Sequence, residues 1–132
     1  MPTVNRFEDL LVWQKARILS KTIYKVLSST ELSKDFRMRD QMRGSVGSIM
    51  DIIAEGFDRG SRLEFLNALR IAKGETGELK SQLYRSLDVG YLSNEAFEKL
   101  YCDVDEVAKM LASFIAYLNK TEIRGVKFKD RI

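Results

Sequence analysis

Histidine does not occur among the 132 residues. That absence removes the commonest general base, the Ser-His and Cys-His nucleophile pairs, and most zinc sites. It also removes the Glu-x-x-His pairs that turn a helical bundle into a di-metal oxidase. The single cysteine, Cys102, excludes an internal disulfide framework and suits a reducing compartment. Nothing beside it marks an activated thiol, so it reads as a small helix residue. One proline and eight glycines argue against a loop-rich chain and against many short strands. Long apolar runs are missing too. The most apolar stretch, residues 110–118, is interrupted by Ser113 and falls far short of the ~20 residues a membrane span needs. The start, MPTVNRFEDL, has no signal-peptide layout. A cytoplasmic protein with no membrane association, no cofactor and no metal is expected.

What is present is ordinary in amount and particular in order. Hydrophobic residues make up 45% and charged residues 31%, values that fit one soluble domain spanning residues 1–132. The net charge is +3, and residues 119–132 account for all of it. That stretch holds Lys120, Arg124, Lys127, Lys129 and Arg131 against Glu122 and Asp130, which leaves 17 bases and 17 acids from totals of 22 and 19. A basic tail from about residue 120 commonly serves as a solubilising end; it can also act as an electrostatic arm for phosphate or an acidic partner.

Four stretches repeat at helical period. Val12, Ala16, Leu19, Ile23 and Val26 step by three and four in the first, with Trp13 and Tyr24 widening that face. Met38, Met42, Val46, Ile49 and Ile53 do so in the second. Ser61 and Glu64 form a capping box that opens the third, whose stripe of Leu66, Leu69, Ala72, Thr76, Leu79, Leu83 and Leu87 runs to a stop at Gly90. Ser93 caps the fourth. There Phe97, Val104, Leu111 and Leu118 recur every seven residues beside Leu100, Val107 and Phe114. A third row, Tyr101, Ala108 and Ile115, widens the face into either a deeper core or a subunit interface. Strand signals are absent. The spacing predicts an all-α, antiparallel up-down-up-down four-helix bundle with helices near 9–28, 35–57, 61–90 and 93–120, since short links force antiparallel neighbours.

Two pairs of mid-helix glycines need a reason, because each costs ~1 kcal/mol relative to Ala. Gly44 and Gly47 in the second helix, and Gly74 and Gly77 in the third, are expected to pack against each other where a Cβ would collide. They lie inside helical runs and not after strands, so they are not phosphate loops. Glu75 and Glu78 share a helical face, as do Asp51 and Glu55. Such pairs can hold Mg²⁺ or act as acid and base, but solvated or ion-paired faces are the expectation for each. No residue pattern spells out a reaction, and no enzyme is expected.

The ordered pieces Leu10-x-x-Trp13-x-x-Ala16, Gln41-x-Arg43, Ser48-Ile49, Ala54-Glu55-Gly56, Ala72-x-Gly74-x-x-x-Glu78-Leu79, Gln82-Leu83 and Gly90-Tyr91-Leu92 resemble the 23S ribosomal RNA intervening-sequence proteins. That bacterial family is often described simply as four helix bundle proteins, and the likeness runs from about residue 7 to 118. It departs at Ile52, where the family often has Asn, and at Gly74-Glu75, where it usually has Gly-Ser. A polar site that needs that Asn in relatives would be lacking here. The resemblance implies homopentamers of four-helix bundles, and reading frames first noticed inside insertions in 23S ribosomal RNA genes. A related branch supplies accessory proteins to the reverse transcriptases of diversity-generating retroelements, where a basic barrel handles nucleic acid.

Two binding functions follow as expectations. The first is a non-enzymatic homo-oligomer that binds RNA or DNA through basic surface, without base readout. Its contacts would be Arg37, Arg39, Arg43, Arg59 and Arg62, joined by Lys120, Arg124, Lys127 and Lys129, repeated around the ring. No aromatic–basic interleaving marks a base-stacking surface in the linear sequence. The second is a scaffold or accessory factor for a protein partner such as a reverse transcriptase.

Overall fold

The computed structural model describes residues 3–120 and 128–129. Four long helices carry the chain: α1 (Leu11–Ser29), α2 (Phe36–Asp58), α3 (Arg62–Asp88) and α4 (Asn94–Lys120). Each lies within about two residues of the expected span. Single 3-10 turns at Phe7–Asp9 and Glu31–Ser33 lead into α1 and α2. Leu10, with an extended backbone (φ −74°, ψ 124°), separates the first of these turns from α1 and sets the helix start at Leu11.

The ends are set by local chemistry. The Ser61 Oγ accepts from the Glu64 amide at 3.1 Å, as the capping box requires. The Glu64 carboxylate takes the Ser61 hydroxyl at 3.2 Å. Asp35 caps α2 by accepting from the Met38 amide at 3.1 Å, and the Tyr91 hydroxyl donates to its second oxygen at 2.9 Å. The start of α2 is thereby tied to the α3–α4 turn. Gly60 and Gly90 take φ values of 88° and 85°, the left-handed conformation that lets the chain leave one helix and enter the next.

Contacts at both ends fix the helix directions. Ser86 meets Met42, and Ala68 meets Gly56, so α2 and α3 run antiparallel. Arg62 reaches the Leu118 carbonyl, so α3 and α4 do as well. The four stripes close one core. Phe65 stands edge-on to Phe57 and Phe114, with ring centroids 5.6 and 5.5 Å apart. In α1 Leu27 takes the buried place expected of Val26, which is only half buried.

Two expectations are corrected, and one open alternative is decided. Gly44, Gly47, Gly74 and Gly77 have open space where a Cβ would stand, so none of them marks a close helix contact within the chain. They lie on the outer side of the α2–α3 pair. The close approach is made by Gly56, whose Cβ would run into the Ala68 Cβ. The third row of α4 is largely used inside the chain. Tyr101 packs on Phe97 and Tyr84, at centroid distances of 5.8 and 5.9 Å, and Ala108 is buried. Finally, a two-residue strand pair exists: β1 (Thr3–Val4) lies antiparallel to β2 (Phe128–Lys129), with Thr3 opposite Lys129. Two residues carry too little periodicity to read from sequence. No helix among the described residues is long and apolar enough to cross a membrane.

Candidate nucleic-acid interface

The expected basic residues do not form one patch. Arg37, Arg39 and Arg43 occupy the first half of α2, whereas Arg59 and Arg62 flank the α2–α3 turn. Sixteen residues of helix between Arg43 and Arg59 span about 24 Å. Lys120 ends α4 at the same end as Arg62, which bonds Leu118. Arg124 and Lys127 lie outside the described residues. Lys129 belongs to the short strand pair.

At the turn, both arginines have partners within the chain. Arg59 donates to Glu55 at 2.8 Å, and that hydrogen bond and the charge behind it hold its guanidinium above the ordinary arginine range. The Nε and Nη2 of Arg62 both donate to the Leu118 carbonyl, at 3.0 and 2.6 Å. Arg62 therefore satisfies an orphan carbonyl at the end of α4. Arg62 is thereby tied to α4, whereas the Arg59–Glu55 pair is an exposed one on the surface.

The other end differs. The cap at Asp35 directs the first turn of α2 outward, leaving Phe36 65% exposed and Arg37 exposed beside it. Hydrogen bonds from the Met38 amide and then from Tyr91 hold the Asp35 carboxyl below its usual range, so the anchor stays ionised. One turn on, the Arg39 guanidinium lies 4.8 Å over the Phe36 ring centroid and donates to the Ser33 carbonyl at 3.3 Å. Arg43 lies 5.4 Å over the ring of Tyr24, which is 45% exposed on α1. Asp40 sits between the two arginines, 3.3 Å from Arg39 and 4.0 Å from Arg43. It orders both without matching their combined charge.

Two ring–guanidinium pairs therefore stand side by side across two helices, Arg43 on Tyr24 and Arg39 on Phe36. The linear sequence does not show them as an interleaved run. Tyr24 and Phe36 are the two functional candidates that sequence reasoning missed. Phe36 and Arg39 stand three apart on one helix, a spacing that brings side chains together and could have signalled their stacking. Tyr24 could not be paired with Arg43 without knowing how α1 packs on α2. Exposed π-faces beside planar guanidinium groups can stack bases and neutralise phosphates.

The family model described as 23S rRNA-intervening sequence protein matches residues 8–113. No curated protein matches the chain. A solved structure from Bacteroides thetaiotaomicron VPI-5482, described as a protein with unknown function from the S23 ribosomal protein family, is 32% identical. The match covers 84% of this chain and 100% of that one, with a TM-score of 0.72.

Proposed function

The chain belongs to the 23S rRNA-intervening sequence protein family, and from that premise we propose that it is a non-enzymatic module that binds single-stranded nucleic acid, RNA first, at the junction of α1 and α2. The observation that carries this reading is the pairing of exposed Tyr24 and Phe36 with Arg43 and Arg39 at 5.4 and 4.8 Å. Bases stack on the rings, while Arg37, Arg39 and Arg43 neutralise phosphates. Stacking of this kind tolerates any base, so affinity without strict sequence choice is expected. Lys120, Arg124, Lys127, Lys129 and the exposed Arg59 add long-range attraction, and Arg62 is reassigned to holding the end of α4.

The working unit of this proposal is a homo-oligomer, a ring of five. Its support within the chain is apolar surface left in water: Leu63 is 64% exposed and Ile71 58%. Repetition of a weak site around a ring raises apparent affinity through effective concentration. The same apolar surface favours a second reading, a scaffold for a protein partner such as a reverse transcriptase, which would leave Tyr24 and Phe36 without a role in binding RNA.

Fluorescence polarisation with a labelled oligouridine at low salt tests the first reading. Binding is expected below roughly 50 µM protein, with a slope near −0.7 in log K against log salt for each phosphate neutralised. Changing Tyr24 and Phe36 to Ala together should weaken it by about 1–3 kcal/mol per stacked base. No binding at that concentration, or binding indifferent to the double change, contradicts the proposal and leaves the scaffold in front.

A further inference from the structure

Three aromatic side chains among the described residues stand exposed: Tyr24, Phe36 and Tyr84, the last at 50%. The chain sets an arginine of its own over two of them, Arg43 on Tyr24 and Arg39 on Phe36. No cation among the described residues lies over Tyr84. Its ring is held from α4, by Phe97 at a centroid distance of 4.8 Å and edge-on by Tyr101 at 5.9 Å. The rest of the ring faces water. Lys80, one turn before Tyr84, shows what this cluster attracts, for its Nζ lies 5.0 Å from the Tyr101 centroid. Lys80 is itself neutralised, since it donates to Asp105 at 2.7 Å. The carboxylates beside the rings have no such partner. Asp88 follows Tyr84 by four residues on α3, and Glu98 precedes Tyr101 by three on α4, spacings that put each acid next to its ring. Both acids are exposed, and among the described residues neither takes part in an ion pair. The adjacent bases turn away: Lys99 donates to Asp103 at 2.9 Å, and Arg85 to the Gln41 Oε1 of α2 at 3.5 Å.

The face of an aromatic ring is negative and attracts cations. Two unpaired carboxylates strengthen that attraction and repel phosphate. We propose that Tyr84, flanked by Asp88 and Glu98, docks an arginine-rich segment of a partner protein. A guanidinium stacks on the exposed side of the Tyr84 ring while carboxylates accept from its N–H groups. Arginine suits the surface better than lysine, because a planar guanidinium can stack and still present its donor fork to an acid. The same three-part contact already exists within the chain, where Arg39 lies over Phe36 and bonds Asp40 at 3.3 Å. Helix neighbours run α1, α2, α3, α4 and back to α1, so this surface lies across the bundle from the α1–α2 junction. It would leave that junction free while a protein is held. The inference does not depend on the nucleic-acid reading, and its main test needs no nucleic acid.

The test is fluorescence polarisation of a labelled peptide of alternating arginine and serine, titrated with the full chain at low salt. Saturable binding below roughly 0.5 mM is expected, and a lysine–serine peptide should bind about two- to fivefold more weakly. Tyr84→Leu keeps an apolar side chain against Phe97 and should bring the arginine peptide down to the level of the lysine one. Asp88→Asn together with Glu98→Gln, both at the surface, should weaken both peptides. Melting followed by circular dichroism shows that each variant folds. Tyr24→Ala with Phe36→Ala should leave peptide binding unchanged, which separates this result from the fate of the nucleic-acid site. Absent binding, equal affinity for the two peptides, or binding indifferent to Tyr84→Leu would overturn the proposal. So would loss of oligouridine binding in Tyr84→Leu, which assigns the ring to nucleic acid, or a smaller particle by light scattering, which assigns it to a second copy of this chain.

Discussion

Gly56 and Gly74 give opposite expectations for the same substitution. A Cβ at Gly56 would run into Ala68 and lie 3.6 Å from Phe65 Cδ1, so Gly56→Ala should overpack the contact and cost about 1–3 kcal/mol. A Cβ at Gly74 meets open space inside a helix, so Gly74→Ala should stabilise by about 0.5–1 kcal/mol. Urea unfolding of the two variants decides; a destabilised Gly74→Ala would restore a packing role for that glycine. Helical spacing gives the side of a helix on which a glycine lies, but not how near the neighbouring helix comes. That is why Gly44, Gly47, Gly74 and Gly77 could be read as costly yet not as exposed. The Asp35–Tyr91 bond adds a pH dependence. The folded Asp35 carboxyl titrates below its ordinary value, so its stabilisation is present above pH ~4 and is lost as pH falls through the lower folded value. The Tyr91 phenol is held above its ordinary range, first by the same hydrogen bond, so its contribution is lost as pH rises beyond ~10. Unfolding midpoints measured across pH should show both limbs shallower in Tyr91→Phe. Parallel profiles for variant and wild type would refute the link.

The helices themselves were legible because each buries one stripe and announces its ends. The buried faces of α3 and α4 hold nearly every residue that their periodicity named, and Ser61, Ser93 and Gly90 stand at the boundaries they signalled. The contacts between elements were not legible. Arg62 read as a surface charge for phosphate because its partner, the Leu118 carbonyl, is 56 residues away in sequence. Arg62→Met should uncap the end of α4 and cost about 1–2 kcal/mol, toward the lower range for a hydrogen bond to a charged group because the site is partly exposed. Hydrogen exchange of the amides in the last turn of α4 should rise in that variant. Unchanged protection there would mean the cap is dispensable.

At the scale of the whole molecule, two questions remain joined: what assembles and what binds. Light scattering on the purified chain should report about five times its 15.2 kDa, and a monomer at micromolar concentration would reject the ring. Charge alone placed basic residues at both ends of the bundle, because sequence counts charges without showing which are already engaged. All four have partners within the chain; what distinguishes Arg39 and Arg43 is that they also lie against exposed rings, whereas Arg62 is spent on the Leu118 carbonyl. Ultraviolet crosslinking to an oligouridine, followed by mass spectrometry of the digested protein, tests that distinction most directly, since stacked aromatic residues are the groups placed to react. Adducts are predicted on the peptides holding Tyr24 and Phe36. Adducts confined to the turn at residues 59–62 or to residues 119–132, with none at Tyr24 or Phe36, would contradict the account.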